Sequence, residues 1–246
     1  MLDELGLAGQ ARLLAAHALV LGAGGLGSPV ALYLASAGVG HITLVDDDTV
    51  DLTNLQRQIM HTQASVGQLK VDSARRAIAA LNPDVVVETV ARRADAALLD
   101  PLVARSDVVL DCGDNFASRQ ALNRACVRHH RPLVSGAAIR FDGQVSVYDL
   151  RQPQAPCYAC VFPPTQDVAD EPCATLGVLA PLVGVIGSIQ AAEAIKLLCG
   201  LDSTLRGRLL MVDLRRSDFS SIAVAKDPSC PVCSNPDARA TPGARC

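Results

Sequence analysis

Two short cysteine pairs carry the plainest chemistry in this chain: Cys157-Tyr-Ala-Cys160 and Cys230-Pro-Val-Cys233. Each pair is spaced to chelate one cation, and together they complete a tetrahedral four-thiolate set, a closed zinc site of the structural kind. A redox role is the alternative. Thioredoxin-type pairs, however, sit at a helix N-terminus after a strand, and two copies would be unusual. Nine cysteines without a secretory leader argue for metal or redox chemistry over a disulfide framework. Cys112, Cys126 and Cys199 fall in apolar stretches and read as packing residues. Cys173 lies in an irregular segment ahead of an apolar run, where a thiolate could be exposed and reactive.

A second chemistry is written in glycines. Gly22-Ala23-Gly24-Gly25-Leu26-Gly27 fits GxGxxG: the first glycine permits a tight turn, the second lets a phosphate approach the backbone, and the third lets the helix pack close. Asp46, at the tip of the next expected strand, is placed for a ribose hydroxyl. Arg57 and Lys70 could add positive charge against a triphosphate, a need that a nicotinamide cofactor does not have beyond its pyrophosphate. Asp111-Cys112-Gly113-Asp114-Asn115 closes another strand on the same edge, so Asp114 is a candidate magnesium ligand, with helix capping as the alternative.

These residues need elements to position them. Residues 18–21, 41–45, 85–90, 107–112, 132–137 and 143–148 read as strands, with helices over 28–38, 65–81, 95–104 and 116–130 between them. The alternation predicts a Rossmann-like doubly wound α/β fold: a mostly parallel sheet covered on both faces, with antiparallel C-terminal strands at 208–213 and 220–225 and the four-cysteine zinc knuckle. Residues 150–176 hold five prolines and three cysteines without periodicity and read as a functional loop. Without repeat or linker, residues 1–246 are expected to form a single domain, with a disordered tail over 235–246.

Composition bounds the partners. A net charge of −3 with dispersed basic residues gives no footprint for nucleic acid. The opening MLDELGLAGQ carries two acids where a leader needs basic charge, so a cytoplasmic protein is expected. Residues 174–192 are uncharged but interrupted by Pro181 and three glycines; they are read as a buried helix or subunit contact and not as a membrane span. A dehydrogenase would add a substrate domain and a catalytic His, Lys or Tyr, for which almost no sequence remains. His17, His41 and His61 sit in or beside expected elements, and His129-His130 close a helix.

GAGGLGSP, LVDDDTVDLTNLQRQ, GQLKVDSA, LDCGDN, LVSGAAI with FDGQ, both cysteine pairs and GVLAPLVGVIGSIQAAEAIK together resemble the ThiF/HesA/MoeB family of ubiquitin-activating-enzyme-like adenylyltransferases. That resemblance implies ATP- and Mg²⁺-dependent adenylation of the C-terminal glycine of a ubiquitin-like sulfur carrier protein with a Gly-Gly terminus, in molybdopterin or thiamine biosynthesis. LVSGAAI and FDGQVSVYD lean to the molybdopterin branch. It implies nucleotide contacts at Gly22, Gly24, Gly25, Gly27, Asp46, Asp48, Asn54, Arg57, Lys70, Asp114 and Asn115, with Asp114 on the magnesium and zinc on Cys157, Cys160, Cys230 and Cys233. Cys173 matches a thiol that links to the carrier in the thiamine branch. A homodimer is implied, and a separate sulfur donor protein, since no rhodanese-like stretch follows the second cysteine pair. Family members carry an Arg-Tyr-x-Arg-Gln type segment ahead of a stretch like Leu2-Asp3-Glu4-Leu5-Gly6; its absence here implies an upstream start or weak adenylation. The alternatives to the enzyme are an impaired carrier- or nucleotide-binding homologue and an NAD-dependent oxidoreductase.

Overall fold

The computed structural model of the chain describes residues 2–164 and 177–234. Eight strands make one sheet: β1 His17–Leu21, β2 His41–Val45, β3 Val86–Val90, β4 Val108–Asp111, β5 Leu133–Ile139, β6 Asp142–Tyr148, β7 Arg208–Asp213 and β8 Asp218–Ala223. Their order across it is β3-β2-β1-β4-β5-β6-β7-β8. The first five are parallel, and β6, β7 and β8 join antiparallel, as the sequence predicts.

Seven helices cover it among the described residues: α1 Gly6–Ala15, α2 Gly27–Ser36, α3 Lys70–Leu81, α4 Ala96–Ala104, α5 Phe116–His129, α6 Tyr158–Val161 and α7 Ala180–Cys199. All five residues of β1 are buried because both faces are covered. Ala18 and Val20 point into one cluster with Leu34 of α2, Ile78 of α3 and Ile186 of α7. Leu19 and Leu21 point into the other, with Leu99 of α4, Leu122 of α5 and Tyr158 of α6. Strand periodicity thus sorts alternate residues of one strand into two cores.

Three differences from the sequence reading have identifiable physical causes. The helix expected from 65 begins at Lys70, because Gly67 takes a left-handed φ of 84° after a single 3₁₀ turn, Gln63–Ser65. No helix was expected ahead of β1, yet α1 forms there and packs on α7. The final strand runs two residues earlier than its pattern suggests, since it is exposed throughout and has no buried face to mark its register. The tail over 235–246 lies outside the described residues.

Helix α7 has the length and mean hydropathy, 1.6, of a membrane span, but it is a core helix, with over half of its most apolar stretch buried. It packs against α2, α1, β4, β5 and β6. Its Gln190, fully buried, reaches into the sheet: the amide nitrogen donates to the carbonyls of Asp111 at 2.8 Å and Val134 at 3.3 Å. Gly136 makes room, since a Cβ there would lie 2.4 Å from the Gln190 amide. Replacing Gln190 by Leu keeps the volume but strips both carbonyls of a donor, so it should cost about 2 kcal/mol. A thermal melt should then show a midpoint roughly 4–8 °C lower; an unchanged midpoint would mean that the amide merely fills space.

Candidate nucleotide site and cysteine knuckle

The chain runs outward from β1 to β2 and β3, then crosses to β4 on the other side of β1. At such a switch point the loops leaving the two strands part and open a crevice at the sheet's carboxyl edge. Here a cavity of about 830 Å³ opens. One wall is the glycine turn. Gly22 has φ 95°, and a Cβ on it would lie 2.7 Å from the Cys112 carbonyl. Gly27 starts α2 against the Gly22 carbonyl, only 1.9 Å from where its Cβ would be. Gly24 and Gly25 line the cavity, and the α2 N-cap, Leu26, brings no side-chain cap; because the Ser28 N–H bonds the Gly24 carbonyl and Pro29 has none, an anion here must be met by the N–H groups of the turn leading into α2.

Of the expected contacts, Gly22, Gly24, Gly25, Asp46, Asp48, Arg57, Lys70 and Asp114 line this one cavity, while Gly27, Asn54 and Asn115 do not. Asp46 braces the turn: its Oδ2 accepts from the Ala23 N–H at 2.7 Å and its Oδ1 from the Asp48 N–H at 2.9 Å. Burial pushes the Asp46 carboxyl up, and the nearby Lys70 pulls it back down. Lys70, at the first residue of α3 and only 6 % exposed, pairs with Asp48 at 2.7 Å. Asn54 acts through its carbonyl, which accepts from the N–H groups of Arg57 and Gln58 and so folds the turn that turns both residues to the cavity. Asn115 caps α5 through a 2.9 Å bond from the Ser118 N–H. The cap is therefore Asn115 and not Asp114, and the Asp114 carboxylate lines the cavity.

Three further polar residues at or beside the cavity carry no role in the sequence reading. Gln58 is 4 % exposed, lies against the glycine turn with its amide nitrogen 3.4 Å from the position of a Gly24 Cβ, and leaves its buried Oε1 without a hydrogen bond among the described residues. Arg119 is buried, pairs with Asp111 at 3.5 Å and donates to the Gly136 carbonyl at 3.0 Å. His61 bonds the Ala23 carbonyl. Gln58 and His61 lie within four residues of Arg57, so the same segment carries them; Arg119 had no sequence signal, being one arginine of several on a helix.

The cysteine pairs meet on the α5 side of the sheet. The sulfurs of Cys157 and Cys230 are 3.7 Å apart, those of Cys160 and Cys157 3.9 Å, and those of Cys160 and Cys233 3.5 Å. Four sulfurs about 2.3 Å from a zinc ion would stand about 3.8 Å from one another at the corners of a tetrahedron. The set fits that ion. Contacts with Cys157 and Cys233 hold the Cys160 thiol well below its ordinary range, while the same kind of contact pushes Cys157 up. A divalent cation would stabilise all four thiolates together. Asn123 of α5 ties the knuckle to the core, donating to the Cys157 sulfur at 3.6 Å and accepting from the Tyr158 N–H at 3.0 Å. Through Tyr158, stacked obliquely on Phe162 with ring centroids 4.8 Å apart, the knuckle supplies an aromatic wall of the cavity. Cys173 lies outside the described residues.

A doubly wound sheet with a glycine turn at its switch point, a cavity lined by Arg57, Lys70 and Asp114, and a four-cysteine knuckle defines an α/β protein with its ligand site at the sheet's carboxyl edge. The ThiF family model matches residues 1–232, and this chain belongs to the ThiF family. It is 46% identical over 95% of its length to a SAMP-activating enzyme E1 of Haloferax volcanii, covering 86% of that protein. It is 44% identical to the sulfur carrier protein ThiS adenylyltransferase of Escherichia coli, over 97% of this chain and 94% of that one. To the molybdopterin-synthase adenylyltransferase of Escherichia coli it is 46% identical, over 92% and 90%. Relatives this similar over nearly full length make the chain an adenylyltransferase. A crystal structure of Escherichia coli MccB with ATP has the same fold at TM-score 0.80 and 24% identity, over 92% of this chain and 69% of that one.

The knuckle yields a test. Prolonged dialysis against a strong zinc chelator should release one zinc per chain and lower the thermal midpoint, and Cys230→Ser should reproduce both effects by removing one ligand. Full stability of the metal-stripped chain would show that the cysteines need no ion.

Proposed function

We propose that this protein uses ATP to adenylate the C-terminal glycine of a ubiquitin-like sulfur carrier protein. The observation that carries the reading is that one cavity holds both halves of such a reaction. Its nucleotide half has the glycine turn, Asp46, Arg57, Lys70 and Asp114; its other half runs along β5–β8, past Ala137, Gly143, Met211 and Asp213, where an extended Gly-Gly tail, having no side chains of its own, would lie along the strands.

In the proposed step the carrier carboxylate, already ionised at neutral pH, attacks the α-phosphorus. A carboxylate O–P bond forms in line with the bond that breaks to the β-phosphate oxygen, and pyrophosphate leaves. Asp46 orients the ribose. The backbone N–H groups of the glycine turn leading into α2 hold the phosphates, and Lys70 and Arg57 stabilise the charge that builds on the transferring and leaving groups. Asp114 would hold Mg²⁺, which when bound neutralises the triphosphate and orders it. No general base is required, so catalysis rests on positioning and electrostatics.

The carrier's identity rests on relatives of both branches, one named for ThiS and one for molybdopterin synthase. The motifs LVSGAAI and FDGQVSVYD favour the molybdopterin branch. Cys173 would matter only in the thiamine branch, where it would link covalently to the carrier. A homodimer, zinc in the knuckle and a separate sulfur donor complete the reading.

Carrier-dependent ATP–pyrophosphate exchange tests it. Arg57→Ala and Lys70→Ala should each lower the exchange rate by roughly 10²–10³, and Asp114→Ala should abolish it, all with zinc content and melting unchanged. Exchange that never appears with any Gly-Gly carrier would overturn the enzyme. Normal exchange by Arg57→Ala would remove that residue from the phosphate site.

A further inference from the structure

The bond from His61 to the glycine turn belongs to no part of the reaction described above. His61 is 5 % exposed, and its Nε2 lies 2.8 Å from the Ala23 carbonyl oxygen. A carbonyl only accepts, so Nε2 carries the proton and Nδ1 the lone pair. The Ser73 hydroxyl, 2.9 Å from Nδ1, then donates to it. Ser73 stands one turn beyond Lys70 on the same face of α3. A single relay thus runs from the helix that carries the buried lysine to the backbone of the phosphate-binding turn.

Peptide planarity gives that relay a purpose. The Ala23 carbonyl and the Gly24 N–H belong to one planar trans peptide, so they point in opposite directions. With the carbonyl drawn back onto His61, the Gly24 N–H faces the opposite way, and Gly24 itself lines the cavity. The preceding peptide is held as well, its Ala23 N–H bonded to Asp46 Oδ2 at 2.7 Å. Glycine resists neither orientation by itself, so an unpinned Ala23–Gly24 peptide could rotate its carbonyl oxygen into the anion site, where it would repel phosphate.

We propose that His61 is a positioning residue for the nucleotide, holding the Ala23–Gly24 peptide so that its N–H is directed at a phosphate. The inference rests on the adenylation reading above for the identity of the anion. Burial lowers the imidazole's affinity for a second proton, which keeps the neutral tautomer that the relay requires.

The test is a calorimetric titration of the full-length zinc-loaded chain with a non-hydrolysable ATP analogue and Mg²⁺. His61→Phe fills the space without donating and should raise the dissociation constant about tenfold, the worth of one lost, well-placed hydrogen bond. His61→Gln puts an amide N–H at the same reach and should restore affinity to within about twofold of the parent. A merely structural role would lower the binding stoichiometry and the melting temperature and leave the affinity of the folded fraction intact. Unchanged affinity in His61→Phe, or a Gln variant no better than Phe, would overturn the proposal. If the Phe variant does not fold, Ser73→Ala decides: a weaker binder supports the relay and an unchanged one sinks it. A parent chain that binds no nucleotide would sink the functional reading and this inference together, whereas a binding parent with indifferent variants sinks the inference alone.

Discussion

The carbonyl of Cys112 and the α-carbon of Gly22 are packed so closely that no side chain fits between them: a Cβ on Gly22 would stand 2.7 Å from that oxygen. This contact joins the loops leaving β1 and β4, the two strands between which the sheet changes direction. It sets Asp114, two residues beyond Cys112, into the same cavity as the glycine turn, and α2 starts beside them without a side-chain cap. Below it, Gln190 holds the Asp111 carbonyl, and Arg119 and Ser135 surround the Asp111 carboxylate. Burial raises the Asp111 pKa against the pull of Arg119, so this charge is tolerated only because its partners are fixed. The floor of the cavity is therefore stiff, as a site that works by positioning requires.

The cysteine knuckle contributes from a distance. Its ligands are separated by 73 residues in the chain, yet their sulfurs converge to within 3.5–3.9 Å beside α5. The strip from Cys157 to Phe162, whose helix α6 is only four residues long, is held by the core around it. Asn123 fixes its backbone and Tyr148 meets Tyr158 edge-on at 6.0 Å. A metal joining these pairs would thus hold aromatic rings of the cavity wall as well as the end of the described chain.

Much of this was legible along the chain. Short apolar runs marked six of the strands to within one residue at each end, and the central ones, buried on both faces, tolerate little else. GxGxxG and the paired CxxC spacings were legible because each answers a local geometric demand. The fraying came where tertiary contacts overruled pattern: α1 owes its place to α7, and β8 has no buried face to set its register. Asn115 rather than Asp114 takes the helix cap, a choice between neighbours that only backbone geometry makes.

The sequence by itself determined the fold class, the glycine turn and the four-cysteine set, since each depends on residue types at short fixed spacing. It also singled out Arg57, Lys70 and Asp114 as charged groups on one edge of the sheet. Only the tertiary structure decided that these groups share one cavity, that Arg119 lies beneath it and that His61 grips the turn. The reason is physical: His61 and Ala23 are 38 residues apart, and a hydrogen bond between a side chain and a distant carbonyl leaves no periodic trace in the chain. Spacing records what neighbours along the backbone must do, whereas packing decides which distant polar groups are left facing one another.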